Sequence, residues 1–279
     1  MPSRLATAAI LLFWLATTSV LVYRELAPRF QTGDAPPFTI PLTAEVGQNI
    51  VNWNVLQKGE RIGSGFTQIK LEPGRIFKLS AEFKLERIKL FVAMDKVKIV
   101  GAYHVTEDGK LLKSSASIKL TQPVAAEITF DGAVKDKLFY PKFALLIGGQ
   151  DINPFALEPF AVSESGSILN PMHLVPKISG LREGRTWPVP LMDPLRAVPA
   201  ALKDFVPVKI AAVQQVIATV TTEDRKWGDV NVPCFKIAYA KPGERPLAAT
   251  WVRRSDDAVL EQWASYEGIE YTLQRAPGQ

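Results

Sequence analysis

The stretch "FKLSAEFKLE", residues 77–86, constrains this chain more than any other part of it, because apolar and polar side chains alternate there without a break. Phe77, Leu79, Ala81, Phe83 and Leu85 fall on one side, and Lys78, Ser80, Glu82, Lys84 and Glu86 on the other. Successive side chains of a strand point to opposite faces, whereas a helix would scatter both sets around its axis. The segment is therefore a half-buried strand. After Arg87 the apolar residues Ile88, Leu90 and Val92 take the other parity. A one-residue slip flips every side chain, so a bulge or tight turn is expected near Glu86-Arg87.

The pattern recurs. Ala116, Ile118 and Leu120 alternate with Ser117 and Lys119, and Ile269, Tyr271 and Leu273 alternate with Glu270, Thr272 and Gln274. Asp108-Gly109 and Asp131-Gly132 read as hairpin turns, since glycine tolerates the positive φ such turns need. "VQQVIATVTTEDRKWGDVNVPCFKIAY" reads as two strands joined by a polar turn of about eight residues. The carboxyl end "ATWVRRSDDAVLEQWASYEGIEYTLQR" reads as three antiparallel strands, with Ser255-Asp256-Asp257 and Glu267-Gly268 as turns. Its middle run would also suit a helical stripe; its shortness between turn signals decides for a strand.

Between Pro141 and Phe205 the alternation fades, and prolines, including those of Asn153-Pro154 and Asn170-Pro171, disfavour central strands and long helices. Phe143–Ile147 and Leu195–Phe205 read as short helices there. The expected fold is mainly β: a curved antiparallel sheet or half-open barrel within residues 38–279. Its two β-rich halves, about 38–140 and 175–279, are joined by a Pro-rich connection over 141–205. Weak echoes between "HVTEDGKLLKSSASIKL" and "WVRRSDDAVLEQWASYEG" are compatible with two similar halves.

Ahead of this body lies "LATAAILLFWLATTSVLVY", residues 5–23, without a charged side chain. As a helix it would be roughly 28 Å long, close to the hydrocarbon thickness of a bilayer. It stays bulky to Val22-Tyr23 and then meets Arg24, unlike a cleaved signal peptide, which ends in small residues. The expectation is an uncleaved single-pass anchor in the cell membrane, after a tail of residues 1–4 and before a stiff linker, 24–37, with three prolines. Arg4 and the terminal amine on one side are balanced by Arg24 and Arg29 on the other, so charge gives little orientation; a short tail before a long domain places that domain outside the cytoplasm.

The second half, roughly 175–275, resembles a family of uncharacterised bacterial envelope proteins whose domains of unknown function share the half-open β-barrel of the lipoprotein-carrier (Lol-type) fold. The resemblance rests on "LREGRTWPVPLMD", "VIATVTTEDRKWGDVNVPCFKIAY" and "TWVRRSDDAVLEQWASYEGIEYTL". It implies a curved sheet able to hold a lipid or lipoprotein segment. The apolar segment 5–23 departs from a carrier that shuttles.

Residues suited to chemistry are sparse. The net charge of +5 is spread thinly, without a basic block interleaved with aromatics, so nucleic acid is excluded as a partner. His104 and His173, the two histidines, stand apart from any acidic or cysteine partner at metal-ligand spacing. Gly63-Ser64-Gly65 lacks the G-x-S-x-G spacing and reads as a turn or bulge, and the Ser-rich 163–167 as a loop. No phosphate-loop or dinucleotide motif occurs. Cys234, the single cysteine, reads as a small buried hydrophobe, and Asp256 and Asp257 as turn formers. No catalytic, cofactor-binding or metal residue is expected. The chain is read as a non-enzymatic, membrane-anchored module binding an apolar or lipid-like ligand; the alternative is a tethered scaffold that recruits another envelope protein.

Overall fold

A computed structural model describes residues 51–89, 93–107, 109–121, 125–156, 159–161, 177–192, 213–266 and 268–276, with Thr17, Pro36, Ile50 and Val175. The anchor segment 5–23 (Thr17 apart), the linker (Pro36 apart), His173 and the helix expected over Leu195–Phe205 lie outside these residues. No helix among the described residues is long and apolar enough to cross a membrane.

Fifteen strands make one antiparallel sheet. The first nine are β1 (Val51–Gln57), β2 (Glu60–Glu72), β3 (Ile76–Lys89), β4 (Ala93–Val105), β5 (Leu111–Leu120), β6 (Ala126–Lys135), β7 (Leu138–Ile147), β8 (Gln150–Ala156) and β9 (Phe160–Ala161). The last six are β10 (Thr186–Met192), β11 (Val213–Trp227), β12 (Val230–Ala240), β13 (Ala248–Arg253), β14 (Val259–Tyr266) and β15 (Ile269–Arg275). The order runs β10 to β15, then β1 to β8, with β9 beside β7. Two meanders are thus joined where β15 pairs with β1, from Trp53↔Arg275 to Gln57↔Tyr271. Among the described residues no pairing joins β10 to β8 or β9, so the sheet is not closed by hydrogen bonds. So many twisted strands curl instead of lying flat. One face carries the main core, in which Trp53, Phe77, Val105, Trp187, Val216, Ile237 and Tyr239 are at most 1% exposed.

Several expectations are corrected. Phe143–Ile147 is not a helix but the end of β7, where Phe139, Phe143 and Leu145 are buried at alternate positions. The alternation was masked by Pro141 on the buried side and by Ala144 and Leu146 on the other. Pro141 is tolerated because β8 pairs with β7 only from Lys142 onward and β9 only at Leu138 and Phe139; the missing N–H lies at this gap. The Pro-rich connection therefore shrinks to the stretch between β9 and β10. Lys177 bridges to Ala258, and Ile178 N–H donates to the Asp257 carbonyl at 3.0 Å, so this connection is clipped to the β13–β14 turn. Val175, Ile178 and Leu181 add their side chains to the main core.

The β11–β12 turn has two residues, Gly228 and Asp229, not about eight: the polar run "TTEDRK" stays in the strand. No register shift separates Leu85↔Val97 from Arg87↔Asp95; the irregularity is the left-handed φ of 55° at Lys96 on the facing strand. Asp131-Gly132 is not a turn either. Both residues pair in mid-β6, and the Phe139 ring occupies the space a Cβ of Gly132 would need. The real β6–β7 turn is Asp136-Lys137, with both residues at positive φ as a tight hairpin of this hand requires. Gly63-Ser64-Gly65 lies within β2 and is not a turn; the bulge falls just before it, as a register shift at Ile62 between Val55↔Gly63 and Leu56↔Arg61.

Gly65 sits between Trp53 on β1 and Phe83 on β3, directly opposite both. A Cβ there would collide with the Phe83 ring and the Glu82 carbonyl. Replacing Gly65 with alanine is expected to destabilise the protein by about 1–3 kcal/mol, the usual cost of overpacking. Equal denaturation midpoints for the variant and the parent would refute this close packing.

Candidate functional site

The pairing registers sort every strand residue into rows that cross the sheet. One inner row runs Trp53, Gly65, Phe83, Ile99, Ile118, Ile128, Leu145, from β1 to β7. Its ends are buried, with Trp53 at 1%, Phe83 at 9% and Leu145 at 5% exposure, while Ile99, Ile118 and Ile128 in its middle are only partly buried. The next row runs Val51, Thr67, Ala81, Gly101, Ala116, Phe130, Phe143. Three consecutive small residues make a trough between the Trp53 core and an aromatic group of Phe130, Phe139 and Phe143, whose ring centroids are 4.9 and 5.8 Å from that of Phe130. Among the described residues, a Cβ on Gly101 would meet nothing nearer than the Ser115 carbonyl at 3.9 Å. Tyr103 and Ser114 border the trough in the third row. Removal from water pushes the Tyr103 phenol above its ordinary range, and its hydrogen bond to Ser114 offsets part of that rise.

Elsewhere the inner face is filled. Trp53 Nε1–H donates to Thr67 Oγ1 at 3.0 Å, and Gln262 donates to Thr250 at 3.4 Å beside Tyr239. These bonds offset part of the cost of burying the Trp53 and Gln262 donors, whereas the buried Trp187 indole N–H has no partner among the described residues.

The opposite face of β11–β14 carries a second apolar cluster of Cys234, Ala249, Trp251 and Leu260. Arg225 stacks 4.5 Å from the Trp251 ring centroid, and Lys236 stands 5.3 Å from it. Glu223 accepts the Trp251 indole N–H and, at 3.1 Å, the Lys236 ammonium, while Arg225 pairs with Glu261. Burial raises the Glu223 carboxyl, but Trp251, Lys236 and Arg225 together outweigh it, and the net shift is downward. Sequence inspection missed this clasp; the signal was the parity shared by Glu223, Arg225 and Trp227, which puts both charges on one face.

Cys234 is fully buried, and burial raises its thiol pKa, so the protonated, neutral form is favoured and it is a poor nucleophile. His104 Nε2 lies 3.5 Å from Glu72, a contact between β4 and the end of β2 that spacing did not reveal. Among the described residues no group of His, Cys, Asp or Glu could hold a metal ion. Asp256 accepts both Arg253 Nε–H and Nη2–H at 2.7 Å, and the Ala258 N–H at 3.3 Å. Asp257 takes a φ of 61°. Both are turn formers, as expected. Ser64 stands on the outer face of β2, directly opposite Asn54 and Lys84. Nothing brings the sequence-flagged residues together: His104, Ser64, Cys234 and the Asp pair occupy different strands and turns.

The Glu223 and Asp256 carboxyls both titrate below their ordinary range in the folded state; Arg253 is the leading cause for Asp256. Groups of this kind add stability above the unfolded-state pKa and lose it as pH falls through the folded value. Glu223→Gln is therefore expected to be less stable than the parent near neutral pH, with the gap closing on acidification to about pH 3. Urea midpoints at both pH values check this, and a gap independent of pH would contradict it.

No family model matches the chain, and no curated protein does. Among solved structures it is similar to a beta-barrel-like protein of a domain of unknown function, DUF1849, from Brucella abortus, with a TM-score of 0.43 and 11% identity over 81% of this chain and 96% of that one.

Proposed function

We propose that this protein is a non-enzymatic binding module of the cell envelope, tethered by residues 5–23 with its β-domain outside the cytoplasm, that holds an apolar or lipid-like chain against the inner face of β3–β6. The observation that carries this reading is the trough at Ala81, Gly101 and Ala116. It is floored by small residues, walled by Ile99, Ile118, Ile128 and Tyr103, and lies between two regions that are already filled. Apolar concave surfaces with a few polar groups at the rim are where small ligands bind. Here the polar groups beside the trough, Ser114 and the Tyr103 hydroxyl, are bonded to each other and withdrawn from water. The likeness to lipoprotein carriers belongs to this same proposal.

The scaffold alternative has less support at the edge where it would be easiest. Val220 N–H donates to the Arg185 carbonyl at 2.9 Å, which fixes the positions of β10 that bond to β11. Pro188 and Pro190 then fall at positions facing away from β11. An added strand would find two donors missing, a known way of protecting edges.

Native mass spectrometry of the full chain released from gentle detergent tests the proposal. A bound lipid-sized species is expected on the parent protein and is expected to be absent from Gly101→Leu, whose side chain fills the trough. A parent protein free of any such adduct, or a variant that keeps it, would sink the reading.

A further inference from the structure

The opposite face of β2–β4 carries a groove of about 700 Å³ lined by Arg61, Ser64, Lys84, Glu86, Lys96 and Lys98, together with Gly63, Leu85 and Val97. Ligand sites typically fall between about 300 and 1,000 Å³. Its cations come from three strands. Lys84 is directly opposite Lys98, which is directly opposite Lys119. Like charges opposed in this way destabilise a sheet. Glu82 relieves two of them, at 3.0 Å from Lys98 and 3.6 Å from Lys84, and Glu127 takes Lys119 at 3.1 Å. Arg61 and Lys96 have no carboxylate within ion-pair distance among the described residues; the Arg61 Nε–H reaches only the Gly63 carbonyl, at 3.4 Å. Lys96 is held at a φ of 55°, and Thr121 Oγ1–H donates to its carbonyl at 3.1 Å. Backbone strain of this kind collects at functional positions. A second hollow of about 360 Å³ shares Arg61, Ser64 and Lys84 and extends the groove toward Asn52 and Asn54.

We infer that this groove binds a phosphate-bearing ligand, with Arg61 and Lys96 as the two uncompensated cations and Lys84, Lys98 and the Ser64 hydroxyl completing the donor set. A guanidinium can grip two phosphate oxygens at once, while the lysines supply point charges around it. Each cation removed from such a contact weakens binding by roughly tenfold or more. The inference does not depend on the apolar trough, which lies on the other face.

The phosphate could belong to a lipid headgroup or to a soluble phosphate ester, and two titrations separate these. Full-length protein in non-ionic detergent is titrated calorimetrically with inorganic pyrophosphate and with dihexanoyl phosphatidic acid. Saturable binding of at least one probe is expected. It should weaken as salt rises, be lost in Arg61→Gln/Lys96→Gln, fall partway in each single variant, and persist in Lys135→Gln on β6. Binding of the lipid alone identifies a headgroup, and of pyrophosphate a soluble ester; both outcomes uphold the site. Because Arg61 and Lys96 are exposed, the variants should melt with the parent and keep any trough-bound adduct. Absence of saturable binding by the parent, or unchanged affinity in the double variant, overturns the inference.

Discussion

The pairing of β15 with β1 is the contact on which the rest of the structure depends. It joins residues as far apart as Gln57 and Tyr271, whose side chains share a hydrogen bond of 3.0 Å across 214 positions. Backbone bonds extend the seam at both ends, from Lys58 N–H to the Glu270 carbonyl and from Ala276 N–H to the Asn52 carbonyl. Closing so long a loop is tolerable because its entropic cost grows only with the logarithm of length. The return is large. Without the seam β1 and β15 would both be open edges, and Trp53, Val55, Tyr271 and Leu273 would lose their common core. Folding of such a topology waits on a non-local contact, which makes it intrinsically slow.

Once the seam exists, the sheet acts as a single surface whose two faces are set by residue parity. Glycine controls how closely the inner face packs. At Gly63, Gly65 and Gly132 the absent side chain is replaced by Leu85, Phe83 and Phe139 from the adjacent strand, so a large residue covers a small one. At Gly101 no described side chain does so. The same residue type thus seals the core at three positions and leaves it open at a fourth. That contrast, more than the total apolar content, is what distinguishes a filled interior from a trough.

The elements most legible in the sequence were those whose alternation runs uninterrupted, β3 and β15; β14 was settled by its shortness between turn signals, and β11 and β12 were recognised but cut short by the polar run read as their turn. Mid-chain β7 was misread because a proline sits on its buried side and two apolar residues on its exposed side, which flattens the contrast that alternation depends on. Turns were legible where glycine announced a positive φ, as at Glu267-Gly268, or where Ser and Asp cluster, as at Ser255-Asp256-Asp257; Asp136-Lys137 takes positive φ with neither signal. Dipeptides such as Asp131-Gly132 misled for the converse reason, since glycine there serves a neighbouring ring and not a turn. The candidate sites were less legible still. Gly101 and Ala116 look unremarkable until register sets them side by side, and Arg61, Lys84, Lys96 and Lys98 lie too far apart in the chain to form a basic block.

The two faces therefore have opposite chemistry for one geometric reason. Where β3 and β4 border the groove, an odd residue of the apolar wall is followed by an even one that lines the groove: Phe83 by Lys84, Val97 by Lys98. Lys84 and Lys98 cannot be moved off their row without turning Phe83 and Ile99 outward, because a shift of register by one residue exchanges the faces. The apolar core thus fixes where the cations stand and holds them together despite their mutual repulsion, with Glu82 as the internal counterion. A strand sheet stabilised mainly on one face can in this way carry an energetically unfavourable charge row on the other, poised for an anion that the fold itself does not supply.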